Sequence, residues 1–357
     1  MRAASDRSLR IAMLGPIAWR TPPVHYGPWE QVVSTLTEGL VAAGHDVTLF
    51  ATGNSVTAGR LRSVVEHGYE ENRSYDPAVL APLHIANCFE AAAAGEFDLI
   101  HSHLDFLPLA WSGLVDVPMV TTIHGFSSDA IMPAYRRYDG RVHYVAISNA
   151  DRHPELTYTA TIYHGLEPSR FPFRAEPDPD GHVLFFGRIH PDKGTHAAID
   201  IARAAGRSIR IAGIVHDEAY FRDEVVPRLG EDAEYVGPIA GDGRAAELGS
   251  ASALLHPVAF AEPFGLSVVE SMMCGTPVIA FPCGSMPEIV EPGVTGFLVG
   301  DAAQAVAAVA GIAGVDRRRC HATAVRRFGA DRMVGEYIDV YRGLLRAGPR
   351  LDCGAPR

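Results

Sequence analysis

Short apolar runs that stop at a glycine, histidine or polar residue recur along this chain with helical stretches between them, and the pattern occurs twice. In the first half, residues 9–14, 46–51, 98–101, 119–123 and 143–147 read as strands. Helices are predicted over 29–43, closed by Gly44, and over the alanine-rich 77–94. In the second half the strand-like runs are 182–186, 208–213, 253–256 and 278–281, with helices from about residue 302 to 345. Apolar runs of this length suit strands covered on both faces, and their alternation with helices predicts an α/β class with parallel sheets. The proline-rich acidic segment 171–181 reads as a linker. It separates a first domain over 1–170 from a second over 182–330, with a tail over 331–357. A chain of 357 residues is long enough for two domains, each with its own core. Open α/β sheets bind ligands beyond the carboxyl ends of their strands, so candidate site residues are sought there.

The most informative such end is HPVAFAEPFGLSVVESMMCGTP, residues 256–277. A buried strand over 253–256 leads to a loop carrying Glu262, then to a helix that opens at Gly265 and carries Glu270. Gly275 and Pro277 end that helix, as a glycine and a following proline do. A glycine at a helix start lets a ligand approach the unpaired N–H groups and the positive end of the helix dipole, which favour a phosphate. At about 1.5 Å of rise per residue, Glu270 stands roughly 7–8 Å further along the axis. That offset matches the distance from a diphosphate to the hydroxyls of its ribose, so the arrangement predicts a pocket for a sugar nucleotide.

The second signal is a count. Of 31 lysines and arginines only Lys193 is a lysine. It lies in FFGRIHPDKG, residues 185–194, where an apolar strand runs into Gly187-Arg188 and a short loop before Lys193-Gly194 opens a helix. Arg188 offers a planar fork of donors and Lys193 a mobile point charge, a combination suited to a diphosphate at a strand end.

These segments, with GSMPEIVEPGVTGFLV at residues 284–299, resemble the retaining nucleotide-sugar glycosyltransferases of the GT-B fold, family 4 (glycosyl transferases group 1). The likeness is dense in the second half and scattered in the first. It implies two facing Rossmann-like domains with a cleft between them, the first on the acceptor side and the second on the donor side. A C-terminal helix would cross back to the first domain. It implies a hexose-like unit moved from a UDP or GDP sugar to an acceptor hydroxyl, with retention and with no metal or other cofactor. By the same resemblance Arg188, Lys193 and the amides around Gly265 (Phe264 to Leu266) would hold the diphosphate. Glu262 would hold the donor sugar and Glu270 the ribose. His124, at the end of the run 119–123, would lie near the donor and share in catalysis. In the loop PIAWRTPPVHYGPWE, residues 16–30, the family carries a Gly-Gly pair. Here Gly27 is followed by Pro28, so one amide donor is missing and Gly27 remains as a second contact to the donor phosphates. Trp19, Tyr26 and Trp29 in that loop are candidates for packing or for acceptor binding.

Composition narrows the partners. A formal charge of −11 argues against nucleic-acid binding and adhesion to anionic lipid. Cys88, Cys274, Cys283, Cys320 and Cys353 show no metal-type spacing and read as reduced thiols, as in a cytoplasmic protein. No signal peptide or membrane-spanning run is expected. His101 and His103 fall on one strand face, and without a third ligand nearby they read as structural or cleft-lining groups. Ser148-Asn149 and His164-Gly165 read as loops after strands. There is no Walker loop, no GxGxxG after the first strand and no GxSxG elbow. The acceptor is open: a small molecule, a lipid-linked group or a glycan. The alternatives to transfer are a non-hydrolysing nucleotide-sugar 2-epimerase and an inactive sugar-nucleotide-binding relative.

Overall fold

The computed structural model describes residues 7–126, 128–179 and 181–347. Cys353 and the end of the 331–357 tail lie outside them. The chain divides into two compact units. The first comprises Met1–Ile147, Arg152–Gly165 and Ala330–Arg357, and the second Ser148–Asp151 and Leu166–Gly329. The segment 171–181 lies inside the second unit, and the chain passes into that unit at Leu166.

The first unit is built on a parallel sheet of β1 (Arg10–Leu14), β2 (Asp46–Phe50), β3 (Arg60–Arg62), β4 (Leu99–Ser102), β5 (Met119–Ile123), β6 (Val142–Ala146) and β7 (Tyr158–Thr161). Its order is β3-β2-β1-β4-β5-β6-β7. The second unit has β8 (Val183–Phe186), β9 (Ile209–Ala212), β10 (Ala233–Gly237), β11 (Ala253–His256), β12 (Val278–Ala280) and β13 (Gly296–Leu298), in the order β10-β9-β8-β11-β12-β13 and again parallel. In each sheet the winding reverses beside the first strand, between β1 and β4 and between β8 and β11. Such a reversal splays the two following loops apart and leaves a crevice at the strand ends. This is the α/β architecture of the GT-B fold, two separate doubly wound units.

The interior strands are apolar because both faces are covered. Ile11, Ala12, Met13 and Leu14 of β1 have no exposed surface, and helix Pro77–Ala93 lays Ile85 and Phe89 into the core that Ala12 and Leu14 face. In the second unit Val183, Phe185, Ile199, Ile211 and Leu255 form the corresponding core. The strands given no range from sequence are β3, β7, β10 and β13, with β7 implied only by the His164-Gly165 loop after it, and they occupy the edges of the two sheets. Edge strands are short and half solvated, so they carry polar residues such as Arg60 and Arg62, which interrupt the apolar signal.

The last helix, Ala330–Ala347, belongs to the first unit and buries Met333, Val334, Tyr337 and Tyr341 along one face. Gly39 makes room for it: a Cβ there would come within 2.4 Å of the Val334 side chain. Its tyrosines reach a chain of buried histidines. The Tyr341 hydroxyl lies 2.6 Å from Nδ1 of His101, whose Nε2 is 2.8 Å from Thr122 Oγ1, and Tyr337 shares that same Thr122 oxygen at 2.7 Å. The rings of His101 and His103 pack at 4.2 Å. Among the described residues no helix is long and apolar enough to cross a membrane. Cys88, Cys274, Cys283 and Cys320 are free thiols, and burial pushes Cys274 and Cys320 up to about 12.

Burial also holds the imidazoles of His101 and His124 down at about 3. The folded state therefore keeps them neutral where the unfolded chain takes up protons. Their contribution is complete above about pH 6.5 and is lost as pH falls toward 3. For each such group the slope is about 1.4 kcal/mol per pH unit. His101→Gln should flatten the fall in unfolding free energy between pH 6 and 4 by roughly that amount. Denaturant titrations of both proteins across this range measure it, and parallel curves would show that His101 does not titrate on unfolding.

Candidate active site

The crevice beside β8 and β11 collects most of the residues singled out from sequence. β8 ends in Gly187-Arg188, and a single 3-10 turn, Pro191–Lys193, leads to Gly194 and helix Thr195–Ala204. β11 ends in a loop that carries Glu262 and turns at Gly265, the left-handed cap of helix Leu266–Met273. The two loops are fastened together by backbone: Ala259 N–H donates to the Asp192 carbonyl at 2.8 Å. A Cβ on Gly194 would stand 2.3 Å from the Pro257 oxygen, so only glycine allows this approach.

That contact delivers Lys193 to Glu262. Their ion pair is nearly buried, with side-chain exposures of 14% and 10%. The Lys193 ammonium also sits 4.5 Å over the Phe260 ring. Nε2 of His256 lies 3.6 Å from the Glu262 carboxylate, close enough for attraction and too long for a hydrogen bond. Burial by itself would raise the Glu262 carboxyl, but His256 and Lys193 outweigh it and hold the group at about 2. Glu262 is therefore ionised at neutral pH although it is buried.

Glu270 is kept in place by a different cation. Arg244, on helix Gly241–Ser250, donates from Nε to Glu270 at 2.7 Å and also from Nη2, and its guanidinium lies 4.6 Å over the Phe186 ring. Between the two carboxylates the helix begins. Its first intrahelical bond is Val268 N–H to the Gly265 carbonyl at 3.1 Å, so the N–H groups of Leu266 and Ser267 have no partner within the helix. Arg188 makes no ion pair among the described residues; Nη1 rests 3.4 Å from His216 Nδ1. The crevice thus holds two carboxylates already matched by cations, a guanidinium without a carboxylate, and a helix N-terminus. Such a set can take a diphosphate with hydroxyl-bearing groups on both sides.

The 284–299 segment explains why the Glu262 loop keeps this shape. Ser285 N–H donates to the Glu262 carbonyl at 2.8 Å, and Ser285 Oγ donates to the Phe264 carbonyl at 3.0 Å. Arg244 and Ser285 are the site residues that sequence reading did not assign. Ser285 lies in the 284–299 segment, where its sequence alone gives it no role, and Arg244 looks like an ordinary surface cation on a polar helix.

In the first unit the expected residues lie at the ends of β1, β4 and β5. Gly27 caps helix Pro28–Ala42 at a φ of 151°, and Pro28 is the first helical residue, where its missing N–H is harmless. The space beside Gly27 is taken by Glu30: a Cβ would come within 2.8 Å of that carboxylate. Glu30 Oε1 accepts from the Trp19 N–H at 3.3 Å, and burial raises the carboxyl to about 7 despite backbone donors. His124 follows β5 and stacks on Trp29 at 5.2 Å. Both its ring nitrogens face histidines: Nε2 lies 2.9 Å from His103 Nδ1, and Nδ1 lies 3.3 Å from His164 Nε2. A hydrogen bond from His124 to a ligand thus requires exchange of one of these partners. His101 and His103 belong to the same buried chain.

Residues 180–313 match the family model described as glycosyl transferases group 1, and residues 29–153 match that described as glycosyltransferase family 4. The chain is 26% identical to glycogen synthase of Mycobacterium tuberculosis, over 81% of each protein. It is 24% identical to phosphatidyl-myo-inositol mannosyltransferase of Mycobacterium leprae, over 96% of this chain and 99% of the relative. Among solved structures it is similar to AviGT4, a glycosyltransferase involved in avilamycin A biosynthesis, with 26% identity, a TM-score of 0.71 and coverage of 95% and 98%. It shares its fold with sucrose-phosphate synthase of Thermosynechococcus elongatus at a TM-score of 0.77 and 20% identity, covering 96% of this chain and all of that one.

The backbone support of Glu262 is open to a direct test. A Cβ on Gly284 would lie 2.3 Å from both the nitrogen and the oxygen of Glu262, whereas one on Gly293 would meet nothing within 4 Å. Both glycines have positive φ, so alanine costs about 1–2 kcal/mol of backbone strain at either. Gly284→Ala should lose about 1–3 kcal/mol more than Gly293→Ala, because the Glu262 loop must move. Urea unfolding of the two variants decides it, and equal losses would mean that the loop does not depend on this contact.

Proposed function

Because the chain belongs to the group 1, family 4 glycosyltransferases, we propose that it moves a hexose-like unit from a nucleoside diphosphate sugar to an acceptor hydroxyl with retention at the anomeric carbon. The observation that carries this reading is the pair of ionisable carboxylates, Glu262 and Glu270, set on either side of the start of helix Leu266–Met273 and each matched by its own cation.

In this reading the diphosphate lies against the amides at Phe264, Gly265 and Leu266, with Arg188 and Lys193 meeting its charge as the glycosidic bond breaks. Donors fixed before the reaction stabilise such developing charge without reorganising. Charge on the diphosphate is assigned to these groups and not to a metal ion. Glu262 faces the transferred sugar. Its negative charge orients hydroxyls and lowers the energy of an oxocarbenium-like centre beside it. Glu270, about a turn and a half into the helix, takes the ribose hydroxyls. No carboxylate stands out as a covalent nucleophile, so the acceptor attacks on the face that the diphosphate leaves, and the leaving phosphate takes the acceptor's proton.

Incubation with UDP- and GDP-hexoses, followed by proton NMR of the products, tests the class of reaction. Release of nucleoside diphosphate with an α-linked product from an α-linked donor is expected. A β-linked product would overturn retention, and inversion at C2 without release would identify an epimerase.

Arg188 is the cation not already engaged by a carboxylate, so Arg188→Ala should act chiefly on the diphosphate. A hydrogen bond to a charged group contributes about 1.5–3 kcal/mol, which corresponds to a roughly ten- to hundredfold weaker complex with the nucleoside diphosphate. The free nucleoside should bind as before. Calorimetry with both ligands measures the difference, and equal losses would make Arg188 a structural residue.

A further inference from the structure

A cavity of about 750 Å³ opens in the first unit at the carboxyl ends of β1 and β4, within the size range of sites for drug-sized molecules. Its walls come from the loop after β1, the start of helix Pro28–Ala42, helix Pro77–Ala93 and the loop after β4, and every lining residue belongs to this unit. Ile17, Trp19, Trp29, Ala81 and Leu107 give it a mainly apolar, partly aromatic surface.

The titratable side chains on its lining are Tyr26, Glu30, Tyr69, His84 and Asp105; Asp105 already accepts from Tyr135, and Glu30 and His84 are buried. Glu30 is 3% exposed, with burial raising its carboxyl to about 7, so near neutrality it can offer or accept a proton. His84 is fully buried. Its Nε2 lies 2.9 Å from the Gly15 carbonyl and must donate to it, because a carbonyl only accepts. Nδ1 is then the unprotonated nitrogen, and it has no hydrogen-bond partner. A buried acceptor without a donor is uncommon in native proteins and is satisfied when a ligand brings an O–H group. A free sugar carries hydroxyls all round, and this wall would leave most of them unmatched. A compact apolar molecule with one or two hydroxyls fits both the surface and the two polar groups.

We propose that this cavity binds the acceptor, and that the acceptor is a hydroxyl-bearing molecule with an apolar, ring-containing body, its hydroxyls met by Glu30 and His84. The inference rests on the glycosyltransferase reading for the word acceptor, while the chemistry of the ligand rests on the cavity itself. Selection follows from the walls: the aromatic side chains of Trp19 and Trp29 suit a rigid body, and the two buried polar groups set which hydroxyl is presented.

Two of the three tryptophans, Trp19 and Trp29, line the cavity, so tryptophan fluorescence reports its occupancy. The probes are 1-adamantanol, which is apolar with one hydroxyl, and maltose, which is polar throughout. The expected result is a saturable fluorescence change with 1-adamantanol and none with maltose. Ala81→Phe, which fills the cavity, should weaken the 1-adamantanol response by roughly tenfold or more. Calorimetric binding of UDP or GDP should be unchanged in that variant, which also shows that it is folded. If Ala81→Phe does not fold, Ala78→Leu on the same wall replaces it. A protein that binds UDP or GDP but responds to maltose and not to 1-adamantanol overturns the proposed acceptor class. An unchanged 1-adamantanol response in the filled variant overturns the location. A protein that binds neither nucleotide, yet responds to 1-adamantanol, would instead overturn the glycosyltransferase reading and leave the cavity's chemistry standing.

Discussion

A carboxylate that must stay charged while buried needs its countercharge built in, and the second unit is organised around that requirement at Glu262. Lys193 reaches it only because the β8 loop touches the β11 loop at Gly194 and Pro257, and because Gly284 lets a third loop lie against the Glu262 backbone. Three strand-end loops therefore hold one side chain. The same arrangement leaves the first N–H groups of helix Leu266–Met273 without partners inside the helix. In the reaction proposed above, this carboxylate would face a centre that becomes positive as the diphosphate leaves.

The first unit solves a different problem with similar topology. Its strand ends carry neutral buried groups: a histidine chain through His103, His124 and His164, and a carboxyl at Glu30 that burial raises to about 7. At the strand ends, the carboxylate–cation pairs of Glu262 and Glu270 mark the second unit and a mainly apolar cavity marks the first. This division matches a reaction whose donor is an anion and whose second substrate is identified mainly by shape. The last helix ties into that neutral network through Tyr337 and Tyr341, so its docking depends on the histidines remaining uncharged.

How far the sequence carried can be read from particular elements. The interior strands were legible because burial on both faces demands an unbroken apolar run, as in RIAML of β1 or VLFF of β8. The edge strands could not be delimited, since RLR of β3 and YTAT of β7 meet solvent on one side and obey no such demand; β7 was implied only by the His164-Gly165 loop. In the site, Glu262, Gly265, Glu270, Arg188 and Lys193 were legible from spacing and from a motif shared with a known family, and the structure places them around one crevice. Arg244 was not, because an arginine on helix Gly241–Ser250 acquires its role only when folding sets it against Glu270. Glu30 is the same kind of case: nothing in its local sequence marks it, and only the fold reveals a buried carboxyl. The partners of His124 came from strands and loops far apart in the chain and left no local signal.

The division of labour between the two carboxylates is the centre of this account, and calorimetric titration of nucleoside diphosphate into Glu262→Gln and Glu270→Gln tests it most directly. The nucleoside diphosphate contains the ribose and lacks the transferred sugar. Glu270→Gln should therefore bind it distinctly more weakly than the parent protein, while Glu262→Gln should bind it almost unchanged and yet turn over the full donor far more slowly. Loss of nucleoside diphosphate affinity in Glu262→Gln with full affinity in Glu270→Gln would contradict the assignment.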